Sequence, residues 1–219
     1  MSTAKIQNKG QARIFKNKYL EALSRSHPAF IFAIYLPLIA YLIYYSGHSV
    51  GFTWSRVAMI FFSGLLFWTV FEYLAHRFIF HTNIQHPLAK RISYVLHGNH
   101  HEFPRDKRRI IMPVAPSILL SSSIFGLMFL IAGQYAFAFF PGFMFGYISY
   151  SALHYAIHAM APPFNWMKPL WRNHHLHHYQ NDHQGYGVSS LLWDKVFHTE
   201  FDLENFKLER KKTDELYAG

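Results

Sequence analysis

The chain has 219 residues and no cysteine, which leaves room for one domain and excludes a disulfide framework, an iron–sulfur cluster and a thiolate-ligated haem. It is 51% hydrophobic and 19% aromatic, yet its mean hydropathy is only +0.03, so the apolar residues are gathered into blocks. The formal charge of +9 does not point to nucleic acid, because the Lys and Arg residues sort by their position relative to those blocks.

A basic lead, residues 1–28, comes first. Within it, residues 11–26 set Ile14, Phe15, Tyr19, Leu20 and Leu23 among Lys16, Lys18 and Arg25, a pattern that suits a helix lying in the membrane interface and equally a solvated basic tail. Four apolar blocks follow, residues 29–45, 57–75, 113–132 and 135–153, each long enough to cross a bilayer. The first does not read as a secretory signal: its apolar run is too long, its polar lead too extended, and no small-x-small cleavage site follows. Of the 21 Lys and Arg residues, six precede the first block, Arg56 alone separates the first two, seven lie in 76–112, and seven follow the fourth. If all four blocks span, every cation but Arg56 shares one side with both termini, and the positive-inside rule makes that side cytoplasmic. The expected fold is an all-α integral membrane protein, with four transmembrane helices in two hairpins and a helical cytoplasmic cap (76–112 and 154–219). Residues 29–219 then form one domain behind an interfacial segment, 1–28. Pro104, Pro113, Pro116, Pro162, Pro163 and Pro169 punctuate the cap, and Trp166 and Trp171 are expected at headgroup level.

Ten histidines stand in four groups on that same side: His76 and His81; His97, His100 and His101; His154 and His158; His174, His177 and His178. Neutral imidazole is the commonest protein metal ligand, and ten are too many for one ion, so two metals with about five nitrogens each is the economical reading. Spacings of three and four residues share a helix face. His76 and His81, five apart, lie about 140° round a regular helix, so the helix is expected to distort or end between them. With almost no carboxylate or thiolate alongside, the site should be nitrogen-rich and redox-capable rather than a calcium or structural zinc site. His27 and His48 read as interfacial, His86, His183 and His198 as isolated, and His175 as a neighbouring or surface group.

Glu72 is the only acid within a block. One turn before His76, it could accept that ring's other N–H and fix its tautomer, or make an interhelical polar contact. Asp194 could orient a ligand histidine or cap a helix. The run Asp106, Lys107, Arg108, Arg109 reads as solvated charge or as a grip on a lipid headgroup.

The series H-x-x-x-x-H, H-x-x-H-H, H-x-x-x-H, H-x-x-H-H resembles that of the fatty acid hydroxylase superfamily, which includes sterol desaturases and oxidases. Residues 72–81, 97–101 running on to 109–113, and 185–199 are most similar to the fatty acid (ceramide acyl) 2-hydroxylases. The resemblance implies that the ten histidines bind two ferrous ions, with zinc able to occupy the same nitrogens, and that O2 and two electrons hydroxylate C2 of a long acyl chain, free or in a ceramide-type lipid. The eukaryotic 2-hydroxylases carry an N-terminal haem domain, and nothing like it fits before Ala29. Electrons are therefore expected from a separate cytochrome- or ferredoxin-type protein with its reductase, and a bacterial inner membrane is expected rather than endoplasmic reticulum.

Iron and oxygen would serve sterol-methyl oxidation, carotenoid hydroxylation, alkyl-ether cleavage or desaturation equally, and only the 185–199 passage favours 2-hydroxylation. A metal transporter would also explain many histidines, but it needs polar or ionisable groups near the bilayer midplane, and the first, third and fourth blocks carry no charge. A di-haem electron carrier would need its histidines inside the spans.

Overall fold

Apolar blocks in lipid must satisfy their own backbone, which makes helix the default. The computed structural model describes residues 6–204; the first five residues of the basic lead and residues 205–219 of the expected cap lie outside them. Among the described residues no strand forms. A short α1, Lys18–Leu23, is capped by the Asn17 side chain, and α2, Pro28–His48, opens with proline at its first position and His27 as cap. Helix α3, Trp54–Leu74, passes directly into a π-helical turn, Ala75–Phe80. Then come α4 (Pro87–Ser93), a second π turn (Tyr94–Gly98) and α5 (Asn99–Glu102). Helices α6 (Val114–Ala132) and α7 (Ala136–Ala159) flank the Gly133–Tyr135 turn, and α8 (Lys168–Tyr179) and α9 (Leu192–Val196) follow.

Among the described residues, three helical runs are long and apolar enough to cross a membrane: Pro28–His48, Trp54–Phe80 and Val114–Ala159. The third, 46 residues long, is folded back on itself. Ser117 Oγ lies 3.1 Å from the Tyr147 hydroxyl, two atoms that a straight helix would hold roughly 45 Å apart. Gly133, at φ +55°, makes the reversal. It separates helices of 19 and 24 residues that meet along Phe125, Phe129, Phe137 and Phe140.

The core is the seam of α7 with α3 and α2. Gly64 of α3 lies against the Phe139 carbonyl of α7, and Gly142 of α7 lies against the Phe61 carbonyl of α3, so a methyl group on either would collide with backbone. Small residues are what let two helices in lipid approach this closely. One turn further on, Trp68 covers Gly146. The two helices therefore run parallel in a fixed register, 64 beside 142 and 68 beside 146, and that register carries on to His76 and His154.

Three expectations need correction. Among the described residues of the basic lead, helix before α2 is confined to Lys18–Leu23. The residues before it form a strap across the cap, with Ala12 and Ile14 buried and Gln7 N–H donating to the Glu102 carbonyl at 2.7 Å. The run 106–109 is only half solvated: Asp106 and Arg109 are buried, and the Arg109 guanidinium pairs with Glu21 at 2.5 Å and donates to Ser24 O and Oγ. Glu21 of α1 also accepts from the Ile14 and Phe15 amides, so the same carboxylate ties the strap to this run. Trp171 is 4% exposed and donates Nε1–H to the Met160 carbonyl, while Trp166 is exposed as expected. A buried indole donor takes an internal partner, and the chain break after α7 leaves that carbonyl free.

Candidate metal centre

All ten singled-out histidines come together, in two groups of five. His76, His81, His97, His101 and His177 form the first quintet; His100, His154, His158, His174 and His178 form the second. Within each, one nitrogen per ring lies within 4.8 Å of all the others. The quintets touch where His101 stacks on His178, ring centroids 4.1 Å apart.

Local structure explains each placement. His76 and His81 share a quintet because the π-turn closes i to i+5, with His81 N–H donating to the His76 carbonyl at 3.1 Å. This is the distortion the spacing required. The H-x-x-H-H groups do not each converge on one point, contrary to the simple face argument. His97 and His101 enter the first quintet and His100 the second, while His174 and His178 enter the second and His177 the first. On a helix, i+4 lies about 40° to one side of i and i+3 about 60° to the other, so a helix seated between two sites serves both. His175 faces outward, exposed. Of the isolated histidines, His86 caps α4, and His183 and His198 are exposed outside both quintets.

The inward atoms are mostly Nε2. His97 Nε2 lies 3.0 Å from that of His76 and 2.9 Å from that of His101, and His81 and His177 meet at 3.1 Å. In the second quintet, His158 Nε2 lies 3.0 Å from that of His100 and 2.8 Å from that of His174, and His174 and His178 meet at 3.0 Å. Burial first, then the neighbouring rings, hold His97, His100, His101, His174 and His178 well below the ordinary imidazole range; burial does the same for His177. Neutral rings each aim one lone pair or one proton inward, and His154 Nε2 is buried there without a partner. Each quintet could therefore hold a metal ion. With no carboxylate or thiolate in either group among the described residues, the donors suit a nitrogen-preferring transition metal, not calcium or magnesium.

Glu72 and Asp194 act at one remove. Glu72 does not reach His76: its Oε1 accepts from the Val188 and Ser189 amides at 2.9 and 2.8 Å, and Oε2 accepts from the Ser189 hydroxyl. Asp194 neither touches a ligand histidine nor caps a helix. Its Oδ1 accepts from Tyr186 N–H and Thr199 Oγ1–H, and its Oδ2 accepts from Gly187 N–H, at 2.8–2.9 Å. Both carboxylates thus fasten one loop, whose Tyr186 carbonyl accepts from His76 Nδ1–H at 2.5 Å and whose Gln184 carbonyl accepts from His177 Nδ1–H at 2.7 Å. Those carbonyls were not foreseen, since main-chain oxygens leave no mark in a side-chain pattern. The one signal was the G-Y-G at 185–187. Gly185 takes φ +69°, and Gly187 lies so close to the Ser190 carbonyl that a side chain could not fit.

Beside the first quintet, a cavity of about 100 Å³ runs between α3, α6 and α7. Trp68, Phe71, Phe143 and Ile124 form its apolar wall, and its lining includes His76 and His97. Tyr35, Ser117, Ser121 and Tyr147 link hydroxyls along one flank.

Residues 61–199 match the family model described as fatty acid hydroxylase. A dihydroceramide fatty acyl 2-hydroxylase of Arabidopsis thaliana is 36% identical over 92% of this chain and 84% of its own length. The chain belongs to the fatty acid hydroxylase family. A ceramide very long chain fatty acid hydroxylase of Saccharomyces cerevisiae is 35% identical over 87% of this chain, which spans 50% of that relative. The solved structure of full-length Scs7p, in which only the hydroxylase domain is visible, superposes with a TM-score of 0.80 at 33% identity. It covers 88% of this chain and 73% of its own.

Proposed function

We propose that this hydroxylase is a membrane-bound di-iron monooxygenase that hydroxylates C2 of a long-chain fatty acyl group, free or in a ceramide-type lipid, using O2 and two electrons. The observation that carries the reading is the apolar cavity whose lining includes His76 and His97. A 2-hydroxylase needs that arrangement, because C2 adjoins the polar carboxyl or amide while the rest of the chain is hydrocarbon. Iron bound by the ten histidines would supply the O2 activation and C–H oxidation; zinc would fill the same nitrogens without redox chemistry.

The chain's own residues do the positioning. Trp68, Phe71 and Phe143 would hold the acyl chain and exclude water, and the seam of α3 and α7 sets the depth at which C2 stops. The basic residues of the cap would meet the headgroup, and the exposed Tyr19, Leu20 and Leu23 of α1 suit residues 1–28 to the interface. The folded-back third run supports four spans, with both termini and the metal centre cytoplasmic. Residues 29–219 would make a single domain, served by an electron-donor protein of cytochrome or ferredoxin type.

The test is mass spectrometry of hydrolysed lipids from a host without 2-hydroxy acids, expressing the chain or its His100→Ala form. A fatty acid hydroxylated at C2, present only with the intact chain, is expected. Oxygen or unsaturation elsewhere would instead assign a sterol, carotenoid, alkyl-ether or desaturating activity.

A further inference from the structure

An ion held by Nε2 obliges each imidazole to carry its proton on Nδ1, pointing away from the metal. In the first quintet two of those protons have an acceptor in place and a third has a carboxylate nearby. His76 and His177 donate to the Tyr186 and Gln184 carbonyls at 2.5 and 2.7 Å, and Asp182 stands 3.8 Å from His81 Nδ1. In the second quintet, Nδ1 of His100, His174 and His178 is buried with no acceptor, and His154 faces the Ile110 carbonyl in a geometry short of a hydrogen bond. Loading the second site thus forces protons onto buried, unpartnered nitrogens, while loading the first completes hydrogen bonds already aimed.

We infer that the two metal sites are unequal: the His76, His81, His97, His101, His177 site binds a divalent ion more tightly than the His100, His154, His158, His174, His178 site. The cause is the 182–190 loop, which makes Glu72 and Asp194 positioning residues for one site only. The inference rests on the dimetal reading above. Oxygen partners behind ligand histidines are typically worth about 10–100-fold each in metal affinity. Two such partners predict occupancies separated by about a hundredfold or more in free metal, beyond the statistical factor for identical sites.

The experiment is equilibrium dialysis of the full-length, detergent-purified chain against chelator-buffered zinc, a redox-inert probe, with zinc per chain read by elemental mass spectrometry. Wild type should fill in two steps, one equivalent each. His154→Ala should lose the weaker step and keep the tighter, and His81→Ala the reverse. Asp194→Ala, which frees the loop, should move the tight step toward the weak one and leave the weak step in place. Glu72→Gln, which keeps the side chain's shape, is the second clamp variant should Asp194→Ala lose its helical circular dichroism. One step of two equivalents, or loss of the tight step in His154→Ala, would overturn the inequality. No zinc uptake by a folded chain would overturn the dimetal reading itself.

Discussion

The same substitution, Gly→Ala, should have opposite signs at two glycines of these helices. At Gly126 in α6 an added methyl meets nothing within 4 Å. Alanine there only improves helix propensity, and should stabilise by roughly 0.5–1 kcal/mol. At Gly142 the methyl would collide with the Phe61 carbonyl and crowd the Leu65 amide, backbone atoms that cannot rotate away. Overpacking typically costs about 1–3 kcal/mol, and an immovable neighbour puts Gly142→Ala near the upper end. At roughly 2–4 °C per kcal/mol for a chain of this size, Tm should fall by about 6–12 °C. Gly64→Ala should cost about as much. The double variant should cost less than the sum, because helices already parted by one methyl accommodate the second. The seam also bears on the metal centre, since His76 and His154 each stand 12 residues, roughly 18 Å, beyond their glycines. Scanning fluorimetry in detergent reads the Tm, and elemental mass spectrometry on the same samples should show metal content falling in the Gly142 and Gly64 variants only. A Gly142→Ala protein as stable as wild type, or a Gly126→Ala protein equally damaged, would refute the close-approach account.

Metal-free protein should lose stability as pH falls below about 6.5, the unfolded imidazole value. Burial keeps His97, His100, His101, His174, His177 and His178 from taking protons that the unfolded chain accepts, so each works against the folded state by about 1.4 kcal/mol per pH unit in that range. Thermal melts of chelated protein at pH 7.5 and 5.5 check this, and a pH-independent Tm would contradict it. Arg109→Ala removes the buried one of the two guanidinium partners of Glu21, leaving Arg25, at a cost of about 1.5–3 kcal/mol, and should loosen the strap. Limited proteolysis should then cut within residues 7–17, and resistance equal to wild type would mean the ion pair is not the anchor.

Much of the architecture was legible in the sequence because its cause is local. Lipid demands unbroken apolar runs of helical length, so hydropathy located the long apolar helices to within a few residues, and the turn at Gly133 divides α6 from α7. Ten histidines in so few residues of polar cap had to meet, whatever the details. The five-residue gap between His76 and His81 called for a distorted helix because an α-helix cannot align them, and the π turn supplies it. Tertiary structure alone decided the rest. Spacings of three and four are equally near on a helix surface, so the sequence could not say that His97 and His101 part from His100. That division appears only when the helix is seated between two sites. Glu72 was recognisable as a buried acid in need of partners, yet its partners are main-chain amides more than a hundred residues away. The oxygens that fix His76 and His177 are carbonyls, which every residue carries, and only the folded loop aims these two at the metal centre.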